Sequence, residues 1–295
     1  MSSPSFDFVS VGAYTKDTIV TRTGTRYVDG GGYSYSAHAA RLAGVRVGAV
    51  TRLAAEDRKS TDLLRSVGVD VIIHESPDST LMRLEYPTDN VDERILTVAA
   101  VADPFEPQHV ADVQSRAILI SASIRGEVPL GVVETLRSNT AMLGLDVQGF
   151  VRIRTEAGRL AYEAWPEMSR ILSMVDVLKS DAVEGEFLTG ESDLHAIARK
   201  LASYGPREIV LTHKDGLVVL ANGKTYEQPF LPQPLLGRSG RGDTCVGSYL
   251  SRRLSADAED ATRWAAALTT LKLEAEGPIR RERGDVEAVI RNRYR

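Results

Sequence analysis

The chain has one cysteine in 295 residues, so it forms no internal disulfide and builds no cysteine-based zinc set. A lone thiol, Cys245, fits a reducing compartment, and the cytoplasm is the expected location. No run of roughly 18 apolar residues occurs, which argues against a membrane-spanning helix. Residues 1–11 lack the basic start and apolar stretch of an export signal, so none is expected. An excess of one charge is missing too: 36 Lys and Arg stand against 40 Asp and Glu, a net −4. Nothing global then favours nucleic acid or an anionic membrane as a partner, and any bound anion must be held locally. Repeats, low-complexity linkers, a Gly-x-x-x-x-Gly-Lys-Ser/Thr phosphate loop and a Gly-x-Ser-x-Gly turn are all absent, which removes solenoids, Walker-type enzymes and α/β hydrolases. The histidines, His38, His74, His109, His195 and His213, show no metal-ligand spacing.

What is present is a composition of 43% apolar and 26% charged residues, enough for a large core. Short apolar runs alternate with helical patterns: 6–11 then 34–42, 45–50 then 60–67, 117–121 then 130–137. The runs 141–146, 175–179 and 208–212 continue the series, the last after a helix carrying Leu194, Ile197, Ala198 and Leu201 on one face. Runs that are apolar throughout and end in a polar residue predict buried parallel strands covered by helices on both faces. The stretches 18–28 and 71–101 break the rhythm and look like strands without helices between them. They predict one small antiparallel sheet, made by two excursions and placed as a lid, since ligands of open parallel sheets bind beyond the strands' carboxyl ends.

The most informative stretch is Gly237-Arg238-Ser239-Gly240-Arg241-Gly242-Asp243-Thr244, followed by Val246, Tyr249, Leu250 and Leu254 at helical spacing. A glycine-rich turn opening a helix near Gly242 or Asp243 gathers backbone N–H groups and the positive helix end at one point, where a phosphate or oxyanion can be held. Asp243 acting only as a helix cap remains open on the spacing alone. Cys245, among apolar neighbours, reads as a packed structural thiol.

Gly240-Arg241-Gly242-Asp243 resembles the Gly-Ala-Gly-Asp signature of the ribokinase (PfkB) family of carbohydrate and nucleoside kinases. Further motifs follow in that family's order. Gly12 to Asp17 is similar to its Gly-x-x-x-x-Asp, Gly30-Gly31-Gly32 to its di-glycine, and Asp181-Ala182-Val183-Glu184 with Phe187-Leu188-Thr189-Gly190 to its Asn-x-x-Glu and following stretch. The resemblance implies a ribokinase-like three-layer α/β/α sandwich, one domain over 1–295, with a lid from about 14–30 and 72–100. It implies an ATP-dependent kinase phosphorylating a hydroxyl of a small sugar or sugar-like acceptor, with Asp243 as general base and Gly240, Arg241 and Gly242 completing an anion hole. Asp17, Gly31, Gly32 and Ser36 would meet the substrate; Thr212, Gly216, Lys179 and Asp181 the nucleotide; Glu184 magnesium. A monovalent cation such as potassium near the signature loop, and a homodimer through the lid, also follow from the resemblance.

The departures concern the ligands. Arg241 stands where the family commonly has Ala, Gly237-Arg238 where it has Asp-Thr, Ser36 where it has Asn, and Asp181 where it has Asn. The Thr-x-Gly-x-x-Gly pattern is shortened to Thr212-His213-Lys214-Asp215-Gly216. A nucleoside kinase stays open, since Tyr33 and Tyr35 are placed to stack on a base or to pack under the lid. So does a non-catalytic sugar- or nucleotide-binding relative. Arg83 and Arg94 either meet an anionic substrate or lie on a solvated lid strand.

Overall fold

Apolar runs that alternate with helices do assemble edge to edge in the computed structural model, which describes residues 5–88 and 95–294. The chain opens with β1 (Phe6–Val11), β2 (Thr15–Thr21), β3 (Gly24–Gly30), α1 (Gly32–Ala40), β4 (Val47–Leu53), α2 (Asp62–Ser66) and β5 (Asp70–Glu75). Next come β6 (Thr80–Glu85), β7 (Ile95–Ala100), β8 (Ser115–Ile120), α3 (Leu130–Ser138), β9 (Thr140–Asp146), α4 (Gln148–Val151), β10 (Arg152–Arg154) and β11 (Leu160–Tyr162). The second half runs through α5 (Met168–Leu172), β12 (Val177–Asp181), α6 (Ala182–Thr189), α7 (Leu194–Ala202), β13 (Glu208–His213), β14 (Gly216–Ala221) and β15 (Lys224–Pro229). It ends with α8 (Arg241–Arg253), α9 (Ala258–Leu273) and α10 (Arg283–Arg293).

Among the described residues nine strands form the large sheet, in the order β15-β14-β13-β12-β9-β8-β1-β4-β5. Every pairing from β5 across to β13 is parallel, and β14 and β15 close one edge as antiparallel hairpin strands. Alternation along a strand sends Phe8 to one face and Val9 and Val11 to the other. On the first face lie Tyr249 of α8, Trp264 and Leu268 of α9 and Val286 of α10; on the second, Val132 and Leu136 of α3 and Ile197 and Leu201 of α7. This is the expected three-layer arrangement. Cys245 is buried in the first layer, and burial pushes its thiol up to about 12. That is a packing role and not a reactive one.

The small sheet has the order β3-β2-β6-β7. Two expectations change here. Residues 72–75 do not join it: Val71 to Glu75 extend the apolar parallel edge, pairing β5 with β4 from Gly48↔Asp70 to Leu53↔Glu75. The sheet is also mixed, because β2 pairs parallel with β6 while the other two pairings are antiparallel. The reason is directional: β2 and β6 each leave the carboxyl end of a parallel strand, β1 and β5, and so enter the small sheet pointing the same way. Arg94, read above as meeting an anionic substrate or lying on a solvated lid strand, lies outside the described residues.

Candidate active site

Where the small sheet meets the carboxyl edge of the large one, the chain encloses a cavity of about 730 Å³. Its geometry turns on three consecutive glycines. Gly30 ends β3, Gly31 takes φ 102°, and Gly32 starts α1. A Cβ on Gly30 would lie 2.9 Å from Asp17 Oδ2, and one on Gly32 only 2.5 Å from Asp243 Oδ1. The segment passes between two carboxylates that leave no room for a side chain, which is the physical content of the di-glycine pattern. Asp17 Oδ1 and Asp243 Oδ1 are both buried without a hydrogen-bond partner. Buried polar atoms are rarely left so, and oxygens on a cavity wall point to a ligand that satisfies them. Burial lifts Asp17 to about 6, against a hydrogen bond from Thr15.

Asp243 is not a helix cap. That position belongs to Gly240, in the left-handed region at φ 74°, and Asp243 sits in the first turn of α8. Non-glycine residues rarely hold this conformation, and a Cβ on Gly240 would also strike the ring of Tyr35. Of the expected anion hole, the Arg241 N–H is already turned to Arg238 O at 3.2 Å. Gly242 brings the backbone against Lys179, whose Nζ would lie 2.7 Å from a Cβ there. Arg238 and Arg241 both line the cavity.

Below this turn sits a buried ionic network. Lys179, in the middle of β12, holds Asp146 Oδ2 at 2.9 Å and Glu184 Oε2 at 3.8 Å. Arg152 holds Glu184 Oε1 at 2.7 Å. Asp181 and Glu184 cap α6 reciprocally: Glu184 N donates to Asp181 Oδ1 at 2.8 Å and Asp181 N to Glu184 Oε2 at 3.1 Å. Burial works against the Lys179 ammonium, but Asp146, Glu184, Asp181 and Asp243 outweigh it and raise its pKa. Burial likewise lifts Asp146, Glu184 and Asp243, with Lys179 pulling each of them back. A base held above the usual carboxylate range is better matched to accepting a proton near neutrality.

Most residues expected at the site are brought together. Asp17, Gly31, Gly32, Lys179, Asp181, Thr212, Gly240, Arg241, Gly242 and Asp243 all line the cavity. Three expected residues do not. Ser36 faces the core, its hydroxyl shared with Ser10 Oγ at 2.6 Å and donated to Gly32 O at 2.7 Å. Gly216 opens β14 beside β15, where a Cβ would strike Gln228 O. Glu184 is fully buried behind Asp181. Tyr33, weighed as a base-stacking residue, is 1% exposed in the core, and only Tyr35 reaches the cavity.

Asp146, Arg152, Glu127 and Lys272 were not read from the sequence. Asp146 had a signal, the carboxyl end of a buried strand. Lys272 had one too, as a lysine inside the apolar run of a helix. Arg152 and Glu127 had none, because the contacts that place them, with Glu184 and with Ala13, are remote in sequence. Glu127 accepts from Ala13 N at 2.5 Å and Ser123 N at 2.9 Å, clasping the loops that follow β1 and β8, and its burial lifts it to about 7.

A mixed α/β sheet, a side sheet over its carboxyl edge and a glycine-capped helix carrying a buried acid define a ribokinase-like phosphotransferase. The chain belongs to the PfkB family of carbohydrate kinases, matching it over residues 6–282. A solved pyrophosphate-dependent kinase of the ribokinase family, complexed with a pyrophosphate analogue and myo-inositol, is 34% identical with a TM-score of 0.88. That match covers 95% of this chain and 99% of the other. A 2-dehydro-3-deoxygalactonokinase of Haloferax volcanii is 27% identical over 261 residues, 79% of this chain and 78% of the relative. A cytidine kinase of Thermococcus kodakarensis is 23% identical over 259 residues, 83% of this chain and 87% of the relative. The protein is thus a carbohydrate or nucleoside kinase, a phosphotransferase with an alcohol acceptor. No helix among the described residues is long and apolar enough to cross a membrane.

Proposed function

We propose that the chain transfers a phosphoryl group from a magnesium-bound polyphosphate to a hydroxyl of a small cyclitol or sugar. The observation that carries this reading is the pair of unpartnered oxygens, Asp17 Oδ1 and Asp243 Oδ1, set on either side of the glycine segment. Asp17 accepts a hydrogen bond from one acceptor hydroxyl and fixes the ring. Asp243 accepts the proton of the attacking hydroxyl as its oxygen bonds to phosphorus and the donor's bridging oxygen departs. Lys179, kept charged by its carboxylate neighbours, stands beside Gly242 where negative charge gathers. The small sheet acts as a lid on the acceptor, with Ile19, Val28, Met82 and Leu84 lining the cavity. Excluding water matters because water competes for the phosphoryl group.

The donor set fits magnesium. Asp146, Asp181, Glu184 and Asp243 outnumber Lys179 and Arg152, leaving an acidic excess for a divalent ion to balance. Among the described residues no three ligands form a cage, as suits an ion that keeps its water and binds mainly through phosphate. Asp181 would hold it through water, oriented by Glu184 from behind. When bound, magnesium neutralises and orients the donor's phosphoryl oxygens.

Inorganic pyrophosphate is the donor this reading adopts, as named for the 34% identical neighbour. It is supported by the cavity wall, where Lys179, Lys214, Arg238 and Arg241 offer cations. A donor without a nucleoside draws its affinity from phosphate contacts, which guanidinium groups make in pairs. ATP is the second reading, carried by family membership. Transfer from each magnesium-bound donor to myo-inositol, other cyclitols, hexoses, pentoses and nucleosides, followed by phosphorus NMR, tests both. A phosphorylated polyol formed from pyrophosphate supports the first reading, formation from ATP alone supports the second, and no transfer to any acceptor contradicts the kinase reading.

A further inference from the structure

Lys272 stands near the carboxyl end of α9, in a stretch of helix whose side chains are buried, and is itself 1% exposed. A buried ammonium ordinarily faces a carboxylate. This one instead donates to backbone carbonyls, Gly237 O at 2.9 Å and Ala275 O at 3.5 Å, and lies 5.7 Å above the centre of the Tyr35 ring. Burial draws it down to about 8, with Asp243 acting in the opposite sense. Carbonyl oxygens and a ring face are the partners that a desolvated monovalent cation takes.

The placement is specific. Gly237 opens the 237–240 turn, and the turn is tied to the end of α9 by Leu236 N and Gly237 N donating to Leu273 O at 2.8 and 3.1 Å. A side chain at Gly237 would strike Ala275 O and push the two carbonyl-bearing loops apart. Tyr35, under the ammonium, also packs against Gly240. Lys272, Tyr35 and Gly240 therefore form one stack supporting the start of α8, where Asp243 sits.

We propose that Lys272 is a positioning residue whose ammonium supplies, from within the chain, the fixed monovalent charge that holds the anion-binding turn, so that turnover needs no added monovalent cation. The proposal rests on the kinase reading and is tested by rates at constant ionic strength in potassium, sodium or tetramethylammonium chloride. Equal wild-type rates in the three salts are expected; activation by potassium would overturn the proposal. Lys272→Met, which keeps the length and removes the charge, should lose about tenfold to a hundredfold in kcat with the acceptor KM unchanged. Lys272→Ala opens a carbonyl-lined gap and should regain activity in potassium or ammonium chloride but not in tetramethylammonium chloride. A merely structural lysine would lower stability without cation-specific rescue. A Lys272→Met enzyme with wild-type kcat, or a Lys272→Ala enzyme equally impaired in every salt, would overturn the proposal. If neither variant folds, the wild-type salt comparison still decides. If the wild type phosphorylates no acceptor, the kinase reading has failed instead, and calorimetry with inorganic pyrophosphate still tests Lys272: weaker binding by Lys272→Met supports the role, equal binding overturns it.

Discussion

At the end of the cavity proposed for the donor, Lys179, Arg152, Asp146 and Glu184 are locked in a buried network, whereas at the acceptor end Asp17 stands on a strand of the small sheet with one oxygen unpartnered. The first end is charged, interlocked and built on the large sheet. The second sets the Asp17 carboxylate against glycine backbone and the apolar side chains Ile19, Val28, Met82 and Leu84. Fixed charge that needs no rearrangement during reaction is what stabilises a moving phosphoryl group, so the rigid end suits chemistry. A neutral polyol needs little more than hydrogen-bond acceptors and a closing wall, so the sparser end suits selection of the acceptor.

That contrast can be broken one residue at a time. Asp243→Asn removes the proposed base without changing its size, and initial rates should fall by about 10²- to 10⁴-fold. Lys179→Met strands Asp146 and Glu184 without their buried cation. It should cost about 3–5 kcal/mol, read as a lower urea midpoint. Gly32→Ala puts a methyl group 2.5 Å from Asp243 Oδ1 and 2.8 Å from Ser121 O. It should cost about 1–3 kcal/mol by overpacking and displace the base, lowering kcat more than it raises KM. Acidity should act at the acceptor end: Asp17, held at about 6, is charged above that pH and protonated below it. The kcat/KM for the acceptor should therefore fall as pH drops through about 6, and the fall should shift in Asp17→Asn. Glu276→Ala, which removes the exposed partner of Arg26 on β3, should change stability by less than about 1 kcal/mol.

The two ends also differed in how much the sequence disclosed. The turn that starts α8 was legible because its glycines, its acid and the apolar spacing behind it are contiguous, and the same holds for the glycines before α1. The layers of the large sheet followed from run length and helix spacing. The ionic network was legible only at Lys179, Asp181 and Glu184, since Arg152 and Asp146 reach it through pairing that no local pattern encodes. Ser36 was expected at the cavity from its place after the glycines. One helical turn beyond Gly32, its hydroxyl instead bonds back to Gly32 O and across to Ser10 on β1. Gly216 was expected at the nucleotide, but its pairing with Pro229 of β15 makes it a hairpin glycine. The parallel pairing of β2 with β6 depended on where each strand leaves the large sheet, which local propensity does not carry.

The most direct test of the division between the two ends is steady-state kinetics on Asp243→Asn and Asp17→Asn side by side, with one acceptor and saturating donor. The account predicts that Asp243→Asn loses kcat with the acceptor KM nearly unchanged, and that Asp17→Asn raises the acceptor KM while keeping most of kcat. Loss of kcat in both to the same extent, or a raised KM in Asp243→Asn with kcat intact, would contradict it.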